Sequence, residues 1–357
     1  MESGVDTDRR IISMLPDSFD KLAESYYLET MDGLYFAVKG HEHPPDRVIA
    51  VLRYAPDPVK GDRTKSGVRY RRLYDFAEQE QLLRSAYPQF LAYDPVFQTT
   101  LQSVPASMIR QIHDPRRWLQ KMEEATAADP LEQDAVAFAR ILMDAAGVPL
   151  SAMGITGSLL IGMHTAQSDL DVSVFGAANC RKVYDALGRR LESRSVEGLR
   201  RLDREGLAEL YQQRAPGGGV GFEAFNRVEK DKVCQGYFRR RQYFVRFVKE
   251  SHESGGAYGT ARYEAIGRAA LEATVSDARD AIFSPCRYVV ADARVLEGTA
   301  LPVTEIVSFR GRFCEQACDG ALVMAAGTLE RVEDRNSGIY YRLLLGNSGE
   351  DKFLVRK

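Results

Sequence analysis

Hydrophobic and polar residues alternate along the first third of the chain in patterns typical of short strands and amphipathic helices. Two runs rich in aromatic and β-branched residues, 33–39 and 47–54, predict strands. Apolar residues at helical spacing predict helices over 74–85 and around Trp118. The sequence therefore predicts a small α+β module over residues 1–120.

Strands and helices are predicted to alternate in the second part of the chain, residues 121–255. Apolar residues at helical spacing over 131–146 predict a helix that stops at Gly147. A helix predicted over 177–193 would cover a sheet built from nearby apolar runs. The strands of this sheet are predicted over 148–156, 169–175 and 241–249.

The last part, residues 256–357, follows a segment of linker-like composition over 251–259. Several short apolar runs are separated there by turn residues, as in a small barrel or sandwich. The sequence therefore predicts a mostly-β, barrel-like C-terminal domain. Its strand candidates begin at Cys286, Val303, Ala321 and Ile339.

Composition narrows the class of protein. Apolar residues make up 45% of the chain and charged residues 27%, which excludes a disordered chain. A net charge of −2 leaves only local electrostatic signals. No apolar run is as long as the about 18 residues of a membrane span. Residues 1–18 lack the apolar core of a signal peptide. Five cysteines, an odd number scattered over a long chain, argue against a disulfide scaffold. We expect a reduced, cytoplasmic protein without membrane contact.

Two aspartates carry the clearest chemical signal. Asp169 and Asp171 lie two residues apart on a predicted strand, so their carboxylates point to the same face. Such a pair suits Mg²⁺, which is held by one or two carboxylates together with substrate phosphates. Gly157 and Ser158 open a short predicted helix and would offer N–H groups and a hydroxyl to an anion. Alternatively, two solvated aspartates follow a helix-capping serine.

The Gly157-Ser158 pair and the run Ser168-Asp169-Leu170-Asp171 together resemble the signature of the DNA polymerase β-like nucleotidyltransferase superfamily. In that superfamily Gly-Ser opens a short helix, and Asp-x-Asp follows on the next strand about ten residues later. The resemblance covers residues 140–250. More loosely, the whole chain resembles an archaeal group of uncharacterised proteins in which such a domain has N-terminal and C-terminal extensions.

The resemblance implies a fold and a set of site residues. The fold is α+β, with a mixed-sheet nucleotidyltransferase domain flanked by the N-terminal α+β module and the C-terminal barrel-like domain. Gly157, Ser158 and Ser168 would bind the phosphates of a nucleotide such as ATP. Asp169 and Asp171 would bind Mg²⁺ or Mn²⁺ and act in catalysis.

One feature departs from the superfamily's pattern. Its enzymes usually carry a third carboxylate on a neighbouring strand, which serves as general base. The matching strand of this chain places Phe244 at that position. Glu223 and Glu250 are alternatives that no spacing supports.

A basic segment over 226–249 predicts a possible contact with nucleic acid. Three lysines and five arginines stand there against one glutamate and one aspartate, interleaved with aromatic residues. Alternatively, the aromatic residues belong to the core and the cations form a solvated rim. The residues expected to contact RNA or another nucleic acid are Arg239, Arg240, Arg241 and Arg246.

Two functions follow from these patterns. The first is a Mg²⁺-dependent nucleotidyltransferase that moves a nucleoside monophosphate from an NTP to a hydroxyl of RNA, a nucleotide, a small molecule or a protein. The second is a catalytically weak or inactive module of the same fold that binds a nucleotide or RNA. The third carboxylate distinguishes the two.

Overall fold

The computed structural model describes residues 19–124, 129–193, 198–214 and 220–355. Within these ranges the chain forms seven α-helices and three β-sheets, so the predicted α+β class is confirmed. Residues 1–18, on which the expectation of no signal peptide rests, lie outside the described ranges. No helix in the described part of the chain is long and apolar enough to cross a membrane.

The first sheet contains eight strands, whereas the apolar pattern predicted two. The additional strands are short or partly polar, and the predicted helix over 74–85 is found as α1 (Phe76–Ala86). The carboxylate of Asp75 accepts a hydrogen bond from the Glu78 N–H and caps this helix. The strands are β1 (Tyr27–Thr30), β2 (Tyr35–Val38), β3 (Arg47–Pro56), β4 (Arg63–Lys65), β5 (Val68–Arg72), β6 (Leu91–Asp94), β7 (Thr99–Pro105) and β8 (Ile109–His113).

The second sheet is mixed and has the strand order β11-β12-β13-β10-β9. Its strands are β9 (Met153–Ile155), β10 (Leu170–Phe175), β11 (Leu199–Arg200), β12 (Gln235–Phe238) and β13 (Arg241–Val248). The strands β10 and β13 run parallel, and the other neighbours are antiparallel. The helices of this region are α2 (Pro115–Glu124), α3 (Pro130–Ala146), α4 (Gly157–Leu160), α5 (Ala177–Ser193), α6 (Arg204–Arg214) and α7 (Phe222–Glu229).

One face of the second sheet is covered by helices and forms a core. Leu170, Val172 and Val174 of β10 are fully buried there together with residues of α3 and α5. Because side chains alternate along a strand, Asp171 points to the opposite face. That face is turned toward the first and third sheets.

The third sheet contains six strands and is barrel-like. Its strands are β14 (Ala261–Asp277), β15 (Cys286–Glu297), β16 (Val303–Ser308), β17 (Leu322–Asp334), β18 (Gly338–Leu345) and β19 (Lys352–Val355). The order is β14-β15-β16-β18-β17-β19, and β14 also pairs with β17, which brings the sheet round on itself. The mostly-β character expected of this part is therefore observed.

Polar contacts join the three sheets. The Thr156 hydroxyl donates to the Ser25 carbonyl (2.5 Å), and the Tyr258 hydroxyl lies 3.0 Å from both carboxylate oxygens of Asp94. Lys232 donates to the carbonyl of Arg312 (2.8 Å). These buried and half-buried contacts connect parts of the chain that are distant in sequence.

Candidate functional site

The two aspartates of the sequence motif lie at the start of β10. Asp169 immediately precedes the strand and is exposed, while Asp171 is its second residue and is half-buried. Desolvation raises the pKa of Asp171 to about 6, and the nearby carboxylate of Asp169 contributes to this rise. Arg246 and Arg72 oppose it. The carboxylates are therefore close enough to repel each other when no cation is bound.

Asp169 lies among positive charges. Partial enclosure by the surrounding protein raises the pKa of this carboxyl, although its side chain remains accessible to solvent. Arg72, Arg214 and Arg63 act in the opposite direction. Arg63 and Arg72 belong to strands of the first sheet, which the sequence pattern did not connect with the aspartates.

Gly157 packs directly against the carboxylate of Asp171. Its backbone has a φ of +67°, in the left-handed region that favours glycine. A Cβ atom at this position would overlap Oδ2 of Asp171 and lie 2.9 Å from its Cγ. The Thr156 N–H also donates to the Asp171 carbonyl (2.9 Å). Only a residue without a side chain fits between this turn and the aspartate.

Ser158 follows as the second residue of α4, which confirms that Gly-Ser opens a short helix. The N-cap position belongs to Thr156, so Ser158 is not the helix cap. Among the described residues, no group forms a hydrogen bond with the Ser158 hydroxyl, which leaves it available to a ligand. Ser168 has a local role, since its hydroxyl accepts from the Thr165 N–H (3.0 Å).

Phe244 occupies the position opposite Asp171 on the parallel neighbour β13. A Cβ on Gly311 of the third sheet's connecting segment would lie 2.9 Å from its Cζ, so this segment covers the ring. Arg246 lies over the same ring, 5.4 Å from its centroid. The register therefore places a half-buried phenyl ring opposite Asp171.

Neither alternative carboxylate reaches this position. Glu250 lies six residues beyond Phe244, roughly 20 Å along the strand direction, and forms an ion pair with Arg116. Glu223 is exposed on α7 and pairs with Arg204 (2.9 Å). Across the described ranges, no three His, Cys, Asp or Glu side chains are grouped so that they could hold a metal ion.

The basic residues expected to contact nucleic acid separate into two groups. Arg239 and Arg241 both pair with Asp134 of α3, with the Arg241 Nε at 2.8 Å. Arg240 is exposed. Arg246 is half-buried beside Asp171 and pairs with Glu24 (3.7 Å). Of the four, Arg246 is the one placed beside the carboxylates.

The carboxylate pair fits a hard cation that is also held by a ligand. Asp169 and Asp171 repel each other, a cation would relieve this repulsion, and Mg²⁺ accepts one or two carboxylates when phosphates complete its shell. The orphan hydroxyl of Ser158 and the arginines around Asp169 suit those phosphates. The residues present therefore fit Mg²⁺ or Mn²⁺ bound together with an anionic ligand.

Comparison with known proteins finds one archaeal relative of nearly the same extent. The chain is 28% identical over 332 residues to "Uncharacterized protein MJ1086" of Methanocaldococcus jannaschii, and the match covers 91% of this chain and 95% of the relative. No family model matches the chain, and no solved structure matches it significantly.

Proposed function

We propose that the protein is a Mg²⁺-dependent nucleotidyltransferase that transfers a nucleoside monophosphate from an NTP to a hydroxyl group. In this reaction the acceptor oxygen forms a bond to the α-phosphorus, the bond to the bridging oxygen breaks, and pyrophosphate leaves. The proton of the acceptor hydroxyl passes to solvent water in the same step. The mixed second sheet would be the nucleotidyltransferase domain.

The observation that carries this proposal is the packing of Gly157 against Asp171. It brings the Gly-Ser turn, which suits phosphates, directly beside the carboxylates, which suit a cation. Neither the Gly-Ser turn nor the carboxylate pair is specific alone. Ser158 and Asp169 are eleven residues apart in sequence, but the turn and the carboxylates are adjacent in space. The glycine is required there, because any side chain would overlap the carboxylate.

Each residue has a defined task in this proposal. Asp169 and Asp171 hold the cation, which supplies charge neutralisation to the triphosphate. Arg63, Arg72 and Arg214 face Asp169 and would pair with the phosphate oxygens that the cation leaves free. The Ser158 hydroxyl would donate a hydrogen bond to a further phosphate oxygen.

Calorimetry of NTP binding with and without Mg²⁺ tests the proposal. The double variant Asp169→Asn/Asp171→Asn should lose the Mg²⁺-dependent part of the affinity while keeping or slightly raising its melting temperature, because the repulsion is removed. The matched control Asp144→Asn/Asp185→Asn removes two carboxylates elsewhere, on α3 and α5, and should bind as the wild type does. Unchanged Mg²⁺-NTP affinity in the first variant would refute the site.

The second candidate function is a module that binds a nucleotide or RNA without efficient transfer. It is favoured by one observation, the phenyl ring of Phe244 opposite Asp171. General-base catalysis typically contributes about 10²–10⁴-fold, and a phenyl ring cannot accept a proton. Transfer of label from α-labelled NTPs, or release of pyrophosphate, supports the enzyme; tight Mg²⁺-dependent binding without turnover supports the module.

A further inference from the structure

Three arginines from the first and third sheets lie near one another at the edge of the candidate site. Arg53 belongs to β3, while Arg310 and Arg312 flank Gly311, the residue that covers Phe244. Arg53 and Arg312 both act electrostatically on Arg310, and Arg312 acts on Arg214, which faces Asp169. We call Arg53, Arg310 and Arg312 the arginine cluster.

Within the described residues, the arginine cluster forms no ion pair. Arg63, Arg214 and Arg246, three of the four arginines that act electrostatically on the aspartates, each have a carboxylate within 4 Å. Arg310 instead donates to the Gly346 carbonyl (3.1 Å), and Arg312 donates to the Arg214 carbonyl (3.4 Å). The Arg312 Nε is buried without a partner.

The two carboxylates nearest to Arg310 are already engaged. Asp351 accepts hydrogen bonds from three successive N–H groups over 346–348 and pairs with Arg268 (2.8 Å). Asp75 caps α1. Burial and the charges of Arg53 and Arg312 lower the pKa of Arg310 to about 10. Like charges held together with no carboxylate in direct ion-pair contact favour binding of an anion.

Exposed aromatic rings lie next to the same guanidinium groups. Tyr74 is 59% exposed, and its ring lies 5.6 Å from the Arg53 Cζ. Phe76 is 36% exposed, and Arg310 lies over its ring at 4.1 Å. Aromatic rings beside arginines are a combination that binds nucleotides, since the rings stack on bases and the cations pair with phosphates.

The cluster is separate from the residues assigned to the NTP but adjacent to them. Tyr74 lies close enough to Asp171 and Asp169 for both to raise the pKa of its hydroxyl. The guanidinium of Arg72 also lies over the Tyr74 ring, 4.8 Å from its centroid. A ligand on the arginine cluster would therefore be within reach of the carboxylates, where an acceptor must lie.

We propose that the acceptor is a nucleotide, whose phosphate is held by Arg53, Arg310 and Arg312 and whose base stacks on Tyr74 and Phe76. This rests on the proposed function, since it assigns the second substrate of the same reaction. A free mononucleotide and the terminal nucleotide of a single-stranded oligonucleotide present the same chemistry. The two sources are separated by experiment.

Binding measured in EDTA isolates this site from the metal-dependent one. We expect the wild type to bind a short single-stranded RNA or AMP, and Arg53→Gln/Arg310→Gln to bind it about tenfold or more weakly. If RNA is the ligand, the variant's salt slope should also flatten by about 1.4, for two lost contacts at about 0.7 each. The control Arg140→Gln/Arg294→Gln, whose arginines pair with Glu123 and Glu272 at the surface, should bind normally.

AMP and the single-stranded RNA identify the source of the acceptor nucleotide, and inorganic tripolyphosphate tests the role of the aromatic rings. Binding of AMP indicates a mononucleotide acceptor, and binding of RNA alone indicates a strand. Tyr74→Ala should weaken binding of AMP and RNA but leave binding of inorganic tripolyphosphate unaffected. The control Tyr93→Ala, which removes another tyrosine that is 64% exposed, should change the binding of none of the three. Absence of metal-independent binding of RNA and AMP, or equal loss in the control variants, would overturn the proposal.

Failure here is distinguishable from failure of the proposed function. Asp169→Asn/Asp171→Asn should keep the metal-independent binding, and Arg53→Gln/Arg310→Gln should keep Mg²⁺-NTP affinity. The arginine variant relieves repulsion between like charges but also loses the donation from Arg310 to the Gly346 carbonyl, so its melting temperature is measured together with its binding. If it does unfold, Tyr74→Ala, which changes an exposed side chain, still decides the question.

Discussion

At the scale of single residues, the candidate site depends on how closely the backbone of Gly157 approaches the carboxylate of Asp171. The left-handed φ of Gly157 and the missing Cβ are both needed for this approach. Asp171 in turn is held half-buried beside a second carboxylate, which raises its pKa to about 6. Two predictions follow from these two features.

Gly157→Ala should destabilise the protein and abolish Mg²⁺-dependent NTP binding. The new methyl group carries the strain of a left-handed alanine, about 1–2 kcal/mol, and also overlaps the carboxylate of Asp171. The matched control is Gly162→Ala. Gly162 has the same φ of +67° and open space around its Cβ position, so its variant carries the strain alone. Thermal melting and calorimetry of both variants give the comparison.

Relief of the overlap provides a second check on Gly157. Adding Asp171→Ala to Gly157→Ala removes the oxygen and carbon that the methyl group meets, so part of the lost stability should return. The same change in the Gly162→Ala background should return less stability, because it relieves only the charge repulsion and no overlap. Equal melting temperatures for Gly157→Ala and Gly162→Ala would mean that the turn does not press on the aspartate.

Asp171→Asn should stabilise the metal-free protein in a pH-dependent way. The folded pKa of Asp171, about 6, lies above the ordinary value of 3.8, so the folded state binds more protons than the unfolded state between these two values. The contribution of this group to stability therefore falls as pH rises from about 4 to about 6. The variant's melting temperature minus that of the wild type, measured in EDTA, should rise over this window and level off above it. Asp185→Asn, which changes an exposed residue of α5, controls for charge removal.

At the scale of secondary-structure elements, the sequence predicted the helices and strands whose apolar residues recur with a clear period. The helix over 177–193 is found with the same bounds, and β10 and β13 each agree within one residue. By contrast, β14 was missed because its sequence, with five alanines and few β-branched residues, resembles a helix former. Long pairing with β15 and β17 overrides that propensity.

The register of two strands makes a prediction about catalysis. If Phe244 occupies the position of a general base, Phe244→Asp should raise the transfer rate. The third negative charge beside Asp169 and Asp171 should also strengthen metal binding and lower the stability of the metal-free protein. Phe244→Asn has similar shape without the charge and is the matched control. Transfer rates and Mg²⁺ affinities of the two variants are compared. Fast transfer by the wild type, at a rate that neither substitution changes, would mean that the general base lies elsewhere.

At the scale of the whole molecule, the candidate site and the arginine cluster combine side chains that are far apart in sequence. The aspartates and Gly157 form a local motif, which is why the sequence alone could locate them. Arg53 and Arg310 are separated by more than 250 residues and carry no motif, so their proximity depends on how the first and third sheets pack on the second. Contacts between the sheets therefore shape the site as much as the motif does.

Glu315 tests this dependence on packing. Its carboxylate accepts hydrogen bonds from the N–H groups of Val233 (2.8 Å) and Cys234 (2.9 Å), next to β12, and so ties the segment that bears Gly311 to the second sheet. Glu315→Ala should lower the melting temperature, because hydrogen bonds to a charged group contribute about 1.5–3 kcal/mol. It should also weaken metal-independent nucleotide binding, since Arg310 and Arg312 lose their anchor.

Two variants complete the Glu315 test. Glu315→Gln retains an acceptor oxygen of nearly the same position, so it should fall between the wild type and Glu315→Ala in both melting temperature and nucleotide affinity. Glu297→Ala, which removes an exposed carboxylate from β15, should change neither. If Glu315→Ala melts at a lower temperature but binds AMP and RNA as the wild type does, Glu315 supports the fold without positioning the arginines. Other contacts, such as the donation from Lys232 to the Arg312 carbonyl, would then have to hold the third sheet against the candidate site.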